Sequence, residues 1–195
     1  MDTIVGPAKQ VTDMLQYGMA LDAGNTENVE KGFAEQMKMS PAVKRICIYD
    51  ANGDLKITSN KGASDQAEKA SSLPWYKQAS TAKDIIFGEV YVPKGMSEPV
   101  TTMVKTFLTP EGKPFAFLAV DLSAEYAAKP ITNIKIGEEG YGYIINKEGM
   151  VIAHPDKAKI LKLDVAKFDY GKEMLQKKNG TTEYSLDGVV RFASF

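Results

Sequence analysis

The chain has 195 residues, more than one average domain and fewer than two, and its 44% apolar and 25% charged residues are those of a folded, water-soluble protein. A formal net charge of −1, with no stripe of Lys or Arg, excludes a nucleic-acid-binding surface. Cys47 is the one cysteine, which excludes an internal disulfide and any site built from several cysteines; the longest apolar runs, such as 116–120, are far too short to span a bilayer.

Met1-Asp2-Thr3 leads straight into an amphipathic segment, with no signal peptide visible. There Ile4, Ala8, Val11 and Leu15 are spaced 4, 3 and 4 apart, which is one face of a helix. Gly24-Asn25-Thr26 breaks it, and Asn25 or Thr26 is placed to cap a second helix whose Val29, Phe33 and Met37 share a face. Ser40-Pro41 ends that helix, because the residue before a proline is pushed out of the helical region. Residues 1–40 therefore read as an N-terminal helical stalk, which also packs on a sheet.

Lys44 to Asp50 alternates, with Ile46 and Ile48 on one face and Arg45, Cys47 and Tyr49 on the other. Asp50-Ala51-Asn52-Gly53-Asp54 is a hairpin turn, and Leu55 and Ile57 belong to the returning strand. The small polar residues 60–72 read as a loop or short helix. Ser72 or Leu73 then caps a short helix with Pro74 in its first turn, carrying Trp75, Tyr76 and Ala79. Three strands follow, at 84–92 (interrupted by Gly88), 99–108 and 114–121, separated by Pro- and Gly-bearing turns. From Ser123 to about Lys135 the pattern is helical again, with Pro130 inside it.

The chain then repeats itself. Ile46-Cys47-Ile48-Tyr49-Asp50-Ala51-Asn52-Gly53 has a counterpart in Gly142-Tyr143-Ile144-Ile145-Asn146-Lys147-Glu148-Gly149, 96 residues further on. Both read as apolar strand, Asp or Asn, two turn residues, Gly and returning strand, so two similar modules are expected. A helix with Phe168, Met174 and Leu175 leads to Asn179-Gly180, and strands at 181–186 and 189–195 meet at Asp187-Gly188. The second module shows four strands against five in the first. It ends on an apolar run, and the natural chain is expected to continue with one more strand and a membrane span.

The stretch from Leu73 to Asp121 carries the chemistry. The only tryptophan, a tyrosine-bearing strand and a carboxylate at a strand end come together there. Aromatic faces with one buried acid make a pocket for a small, amino-bearing molecule. The alternative is that Trp75 and Tyr91 are core aromatics and Asp121 caps the helix that follows Leu122.

Pro74-Trp75-Tyr76-Lys77-Gln78-Ala79, Gly88-Glu89-Val90-Tyr91 and Phe117-Leu118-Ala119-Val120-Asp121-Leu122-Ser123 in the first half carry a family resemblance. So do Gly137-Glu138-Glu139-Gly140-Tyr141-Gly142-Tyr143 and Ala153-His154-Pro155 in the second. Over most of residues 44–160 the sequence resembles the double Cache sensory domain of bacterial chemoreceptors and related sensor kinases. The resemblance implies an α+β fold, a long N-terminal helix followed by two tandem PAS-like modules with antiparallel sheets. It divides the chain into a stalk at 1–40, a membrane-distal ligand-binding module at 41–123, and a linker helix with an incomplete membrane-proximal module at 124–195.

It also implies an extracytoplasmic domain, periplasmic or extracellular, of a membrane-anchored receptor. Such a domain does no chemistry and needs no cofactor. Its expected partners are a small-molecule ligand (amino acid, amine or organic acid), a second copy in the intact receptor, and cytoplasmic signalling proteins. In family members that bind amino acids, an Arg two residues before the Trp grips the carboxylate, and an Asp at the end of the last strand takes the amino group. Trp75, Tyr76, Tyr91 and Asp121 match, and they are the expected ligand-binding residues. The Arg position is Leu73, which removes the fork suited to a carboxylate. Either another cation substitutes, with Arg45, Lys77 and Lys105 as candidates, or the ligand has no carboxylate. Leu73 also leaves open a module that docks a periplasmic binding protein.

Elsewhere the residues read as structural. His154, the only histidine, has no second His or Cys beside it and is expected in a turn rather than at a metal. Cys47 reads as a small core residue. Gly137-Glu138-Glu139-Gly140 lacks the Lys of a phosphate loop.

Overall fold

A computed structural model of the chain describes residues 26–59, 68–186 and 188–195. The chain divides into two units, one through Ala127 and one at Ala128–Phe195. In the first, helix α1 (Thr26–Met39) has Glu27 in its opening turn and Lys38 in its closing turn, the signs its dipole favours. Its four-residue apolar spacing has the expected consequence. Phe33 is buried, and Val29 and Met37 pack around the same cluster of Ile46, Ile48, Met103, Leu118, Val120 and Leu122. The expected stripe at Ile4, Ala8, Val11 and Leu15 lies outside the described residues.

That cluster is one face of a five-stranded antiparallel sheet. Its strands are β1 (Val43–Asp50), β2 (Leu55–Thr58), β3 (Ile86–Phe87), β4 (Val100–Leu108) and β5 (Pro114–Ser123), in the order β2-β1-β5-β4-β3. The central strand β5 joins the two hairpins. Because side chains alternate along a strand, the register lines up three rows on the face away from α1. Arg45, Asp121 and Thr102 form the first; Cys47, Ala119 and Val104 the second; Tyr49, Phe117 and Thr106 the third.

The strand expected at 84–92 is much shorter. Beyond Phe87 the chain stays beside β4, through the Gly88 N–H to the Thr102 carbonyl (2.8 Å) and a lone bridge from Tyr91 to Val100. The short helix also starts later than expected. α2 is Tyr76–Ala79, with Trp75 at its N-cap and no capping side chain, so Pro74 lies ahead of it.

Helix α3 (Ala124–Thr132) spans the division between the units. Among its described residues the second unit holds three separate two-stranded ladders: β6 (Lys135–Ile136) with β7 (Gly140–Tyr141), β8 (Ile144–Ile145) with β9 (Val151–Ala153), and β10 (Thr181–Leu186) with β11 (Val189–Ser194). Helix α4 (Asp169–Lys177) precedes β10.

The internal repeat is present at the level of hydrogen bonds. Asp50 Oδ1 accepts from the N–H groups of Asn52 and Asp54, and Asn146 Oδ1 accepts from those of Glu148 and Met150. Gly53 (φ 76°) and Gly149 (φ 94°) close the two turns in the left-handed region. Each turn then receives the same kind of prop. The Ala70 N–H donates to the Gly53 carbonyl at 2.7 Å, and the Val165 N–H donates to the Gly149 carbonyl at 2.9 Å. Ala70 and Val165 each begin a 3-10 turn and are fully buried.

Candidate functional site

The polar row on the sheet face is a buried ion pair with a relay. The Arg45 Nε–H donates to Asp121 Oδ2 at 2.7 Å, and Thr102 lies 2.6 Å from Asp121 Oδ1. The Thr102 hydroxyl has one proton, and the short contact with a carboxylate takes it. The 3.2 Å contact between Thr102 and Tyr91 is then the phenol donating to the Thr102 oxygen. Asp121 is 3% exposed and Arg45 9%, so each charge depends on the other. Burial works against the charge on Arg45, but the neighbouring Asp121 outweighs it and holds the guanidinium more firmly protonated than usual. Burial, and after it the charge of Asp121, pushes the Tyr91 phenol up.

The aromatic row faces a wall. Trp75 is 1% exposed, with its ring centroid 5.7 Å from Tyr49, 6.3 Å from Tyr76 and 6.4 Å from Phe117. Tyr76 lies 5.4 Å from Phe117. Such tilted ring pairs add about 0.5–1.5 kcal/mol each beyond the area they bury. A Cβ at Gly88 would sit 2.9 Å from the Trp75 Cβ, so only glycine lets the strand pass this close to the Trp75 backbone. Between the polar and aromatic rows, Cys47, Ala119 and Val104 are buried in the same apolar cluster as Trp75. Burial pushes the Cys47 thiol and the Tyr49 phenol up, so both are neutral at physiological pH. The Trp75 Nε1–H is buried and makes no hydrogen bond of standard geometry, although it is close enough to the Tyr91 hydroxyl to interact with it.

The four expected residues thus lie on one side of one sheet. Trp75 and Tyr76 touch through their rings, and Tyr91 reaches Asp121 through Thr102. Asp121 caps no helix. The Ser123 hydroxyl accepts from the Tyr126 N–H at 3.1 Å and caps α3 instead. Leu73 is buried in the apolar cluster beside Trp75. Of the three candidate cations, Lys77 is exposed, Lys105 donates to the Lys83 carbonyl (3.0 Å), and only Arg45 joins the site. Thr102 and Tyr49 were not singled out from the sequence. Their place in the alternation of β4 and β1, on the face of Asp121, is the signal that finds them.

In the second unit His154 Nδ1 accepts from the Asp156 N–H at 2.8 Å, and its ring lies 4.9 Å from Tyr141 and 5.7 Å from Tyr143. Among the described residues no group of three His, Cys, Asp or Glu side chains is placed to hold a metal ion, and no helix is long and apolar enough to cross a membrane.

The sequence model of the Cache domain, dCache_1, matches residues 7–195. The chain belongs to the Cache domain family. Its relatives include the methyl-accepting chemotaxis protein PctB of Pseudomonas aeruginosa, 30% identical over 124 residues, which are 63% of this chain and 19% of PctB. McpA of Bacillus subtilis, also a methyl-accepting chemotaxis protein, is 23% identical over 205 residues, 100% of this chain and 29% of McpA. This Cache domain therefore spans less than a third of the length of these relatives. Among solved structures, the ligand-binding domain of Mlp24 with asparagine superposes with a TM-score of 0.70 at 18% identity, over 98% of this chain and 79% of that one. The ligand-binding domain of PctB in complex with L-Arg gives 0.61 at 21% identity, over 95% and 81%. At these identities the likeness shows the shared fold.

Proposed function

We propose that this Cache domain is the extracytoplasmic ligand-binding sensor domain of a chemoreceptor, and that it holds a small amino-bearing metabolite, an amino acid or an amine, against Trp75, Tyr76, Tyr91 and Asp121. The observation that carries this reading is the carboxylate of Asp121, buried on a sheet face beside an aromatic wall whose Trp75 N–H makes no hydrogen bond of standard geometry. A buried acid with aromatic faces suits an ammonium group, and the indole N–H suits an oxygen on the same ligand. The relatives being chemotaxis proteins, and the structural neighbours having been solved with asparagine and L-Arg, support the same class of ligand.

In this reading residues 41–123 are the membrane-distal, ligand-binding module, residues 124–195 the membrane-proximal one, and residues 1–40 the stalk. The ligand binds one face of the sheet while α1 packs on the other. Contacts to Asp121 and Trp75 on β5 and α2 therefore bias how the sheet seats α1, a population shift limited by the ligand's differential affinity for two states. Homodimerisation of the intact receptor along Ile4, Ala8, Val11 and Leu15 would carry that displacement to the membrane and on to cytoplasmic partners.

The test is a thermal-shift screen of the domain against amino acids, amines, organic acids and nucleobases, repeated on Asp121→Ala. A ligand at about 100 times its Kd adds roughly 2.7 kcal/mol of stability. Amino-bearing compounds raising the melting temperature of the wild type but not of the variant is the expected result. Stabilisation by acids without an amine sinks the role of Asp121. No shift with any compound overturns direct binding and leaves docking of a periplasmic binding protein.

A further inference from the structure

The second unit has a groove of its own, about 530 Å³ in volume, between the start of α4 and strand β10. Thr182, Glu183, Tyr184 and Ser185 line one side of it, and Phe168 and Tyr170 line the other. Four consecutive strand residues belong to both faces of the strand, so the groove runs along its edge. The hydrogen bonds of the ladder say what that edge offers. The Gly180 N–H donates to the Phe195 carbonyl at 2.7 Å, and the Phe195 N–H donates to the Gly180 carbonyl at 2.9 Å. From that pair the β10–β11 ladder runs without a bulge. Thr182 and Tyr184 therefore exchange bonds with Ala193 and Arg191, while the N–H and C=O of Thr181, Glu183 and Ser185 point away from β11. Among the described residues these six outward groups have no backbone partner. The edge is also undefended, since β10 contains no proline and no lysine. In the first unit β3 is two residues long, and β2 carries Lys56 and a register shift.

The two faces beside this edge differ in chemistry. On one, Tyr170 stacks on Tyr184 at 4.1 Å and on Phe168 at 5.4 Å, which forms a wall of rings. On the other, Glu183 is exposed and lies opposite Phe192, itself 78% exposed. The remaining charges of the groove are met locally. Asp169 pairs with Lys172 at 2.9 Å, Glu173 with Lys177 at 2.6 Å, and Lys167 lies 4.0 Å from Asp164. Among the described residues Glu183 has no such partner, and it sets the charge of the edge negative.

We propose that β10 is a docking edge, and that its occupant is an extended segment of a partner protein, added as a further strand, in which basic residues alternate with apolar or aromatic ones. The alternation follows from the strand. Residues of the added segment that lie beside Glu183 share its face, and their neighbours lie over the rings of Tyr184, Tyr170 and Phe168. A second copy of β10 paired antiparallel about Glu183 sets one carboxylate directly against another, which disfavours self-association. A short free peptide brings a terminal carboxylate to an edge that is already negative, whereas a segment inside a longer chain does not. The inference concerns the second unit and stands whether or not the first unit binds a small molecule.

Fluorescence anisotropy with a labelled peptide of about seven residues, alternating lysine with valine or tyrosine and capped at both ends, tests this. Saturable binding by the wild type is expected. N-methylation of every second peptide residue is expected to weaken binding about tenfold or more in one of the two possible sets and to leave it within about twofold in the other, because only alternate N–H groups of an added strand face β10. Ser185→Pro removes an outward N–H without touching a bond to β11, and is expected to weaken binding about tenfold. Val190→Pro, which removes an outward N–H from the far side of β11, is expected to leave binding within about twofold. Glu183→Lys is expected to weaken the lysine peptide about tenfold and to favour its glutamate counterpart. Absence of binding overturns the proposal, and so does equal loss from both N-methylated sets, a result that needs no variant to fold. Equal effects of the two proline variants, or a free-carboxylate peptide that binds more tightly than the capped one, also overturn it. So does self-association of the chain that Ser185→Pro abolishes, which makes a second copy the occupant.

Discussion

The two units begin with the same hairpin and diverge on the face above it. Asp50 and Asn146 organise their turns through the same pair of backbone N–H groups, and Gly53 and Gly149 are propped by equivalent 3-10 turns. In the first unit β5 joins the two hairpins into one sheet; among the described residues of the second, the ladders β8–β9 and β10–β11 remain separate. The faces differ as much. Arg45 and Cys47 correspond in the repeat to Tyr141 and Tyr143. Where the first unit has an ion pair and the buried Cys47, the second has Tyr141 and Tyr143 against His154, and Tyr170 stacked on Tyr184 at 4.1 Å. Turn chemistry preserves the frame, and the residues on the face decide whether it presents charge or is filled with rings.

The largest test of that contrast replaces a ring in each unit. Trp75 is fully buried and touches three other rings, so Trp75→Ala is expected to cost about 3–5 kcal/mol. Tyr170 is half-buried and held by stacking, and Tyr170→Ala is expected to cost about 1–2 kcal/mol. Urea titration followed by far-UV circular dichroism measures both; equal losses would mean that the rings of the second unit carry as much stability as the wall of the first.

Next comes the buried pair. Asp121→Ala leaves Arg45, whose side chain is 11% exposed, without its counter-charge, and is expected to cost about 3–4 kcal/mol. Asp121→Ala combined with Arg45→Leu is expected to recover most of that loss, since an apolar replacement leaves no charge to desolvate. Trp75 is the only tryptophan, so its fluorescence follows the unfolding of this unit alone. A double variant no more stable than the single one would break the account.

Much of this was legible in the sequence. Two-residue alternation gave the two faces of β1, the four-residue spacing of Val29, Phe33 and Met37 gave the packed side of α1, and the internal repeat announced the second turn at 146–149. Resemblance supplied the family and its candidate residues. What the sequence withheld depends on contacts far apart in the chain. Pairing Arg45 with Asp121 requires knowing that β1 lies beside β5 in that register, which local periodicity does not encode. β3 ends where Gly88 passes close against Trp75, a contact between residues 13 positions apart. The cap of α3 falls to Ser123 because that residue directly precedes Ala124, whereas Asp121 lies within β5 and is held by Arg45 and Thr102.

The paired glycines sharpen the comparison on a smaller scale. A Cβ at Gly149 would stand 2.9 Å from both the Cβ and the backbone nitrogen of Ala166, whereas one at Gly53 would meet the Ala70 Cβ at 3.3 Å. Both positions have positive φ, so Gly53→Ala is expected to cost about 1–2 kcal/mol and Gly149→Ala about 2–3 kcal/mol. Gly112→Ala, at φ 80° with nothing within 4 Å, isolates the backbone part at about 1 kcal/mol. If all three cost the same, the tight approach of Ala166 to the second turn has no energetic weight.

The smallest expected effect is a difference in response to acid. Burial, and after it the charge of Lys159, lowers the pKa of His154, with Asp156 opposing. The neutral form is also the one the fold uses, because Nδ1 accepts from the Asp156 N–H and would lose that bond on protonation. An unfolded histidine takes up its proton near pH 6.5, so between that pH and the lower folded value the unfolded chain binds more protons. The stability contributed by His154 is therefore complete above about pH 6.5 and is lost as the pH falls through the folded pKa. Because the first unit contains no histidine, lowering the pH from about 7.5 to 5 should shift the circular-dichroism melt of the second unit more than the melt reported by Trp75 fluorescence. His154→Gln should remove that excess. If the excess survives in the variant, the tyrosine-lined face of the second unit owes its acid sensitivity to groups other than His154, and the contrast between a charged face and a ring-filled one has to be drawn without it.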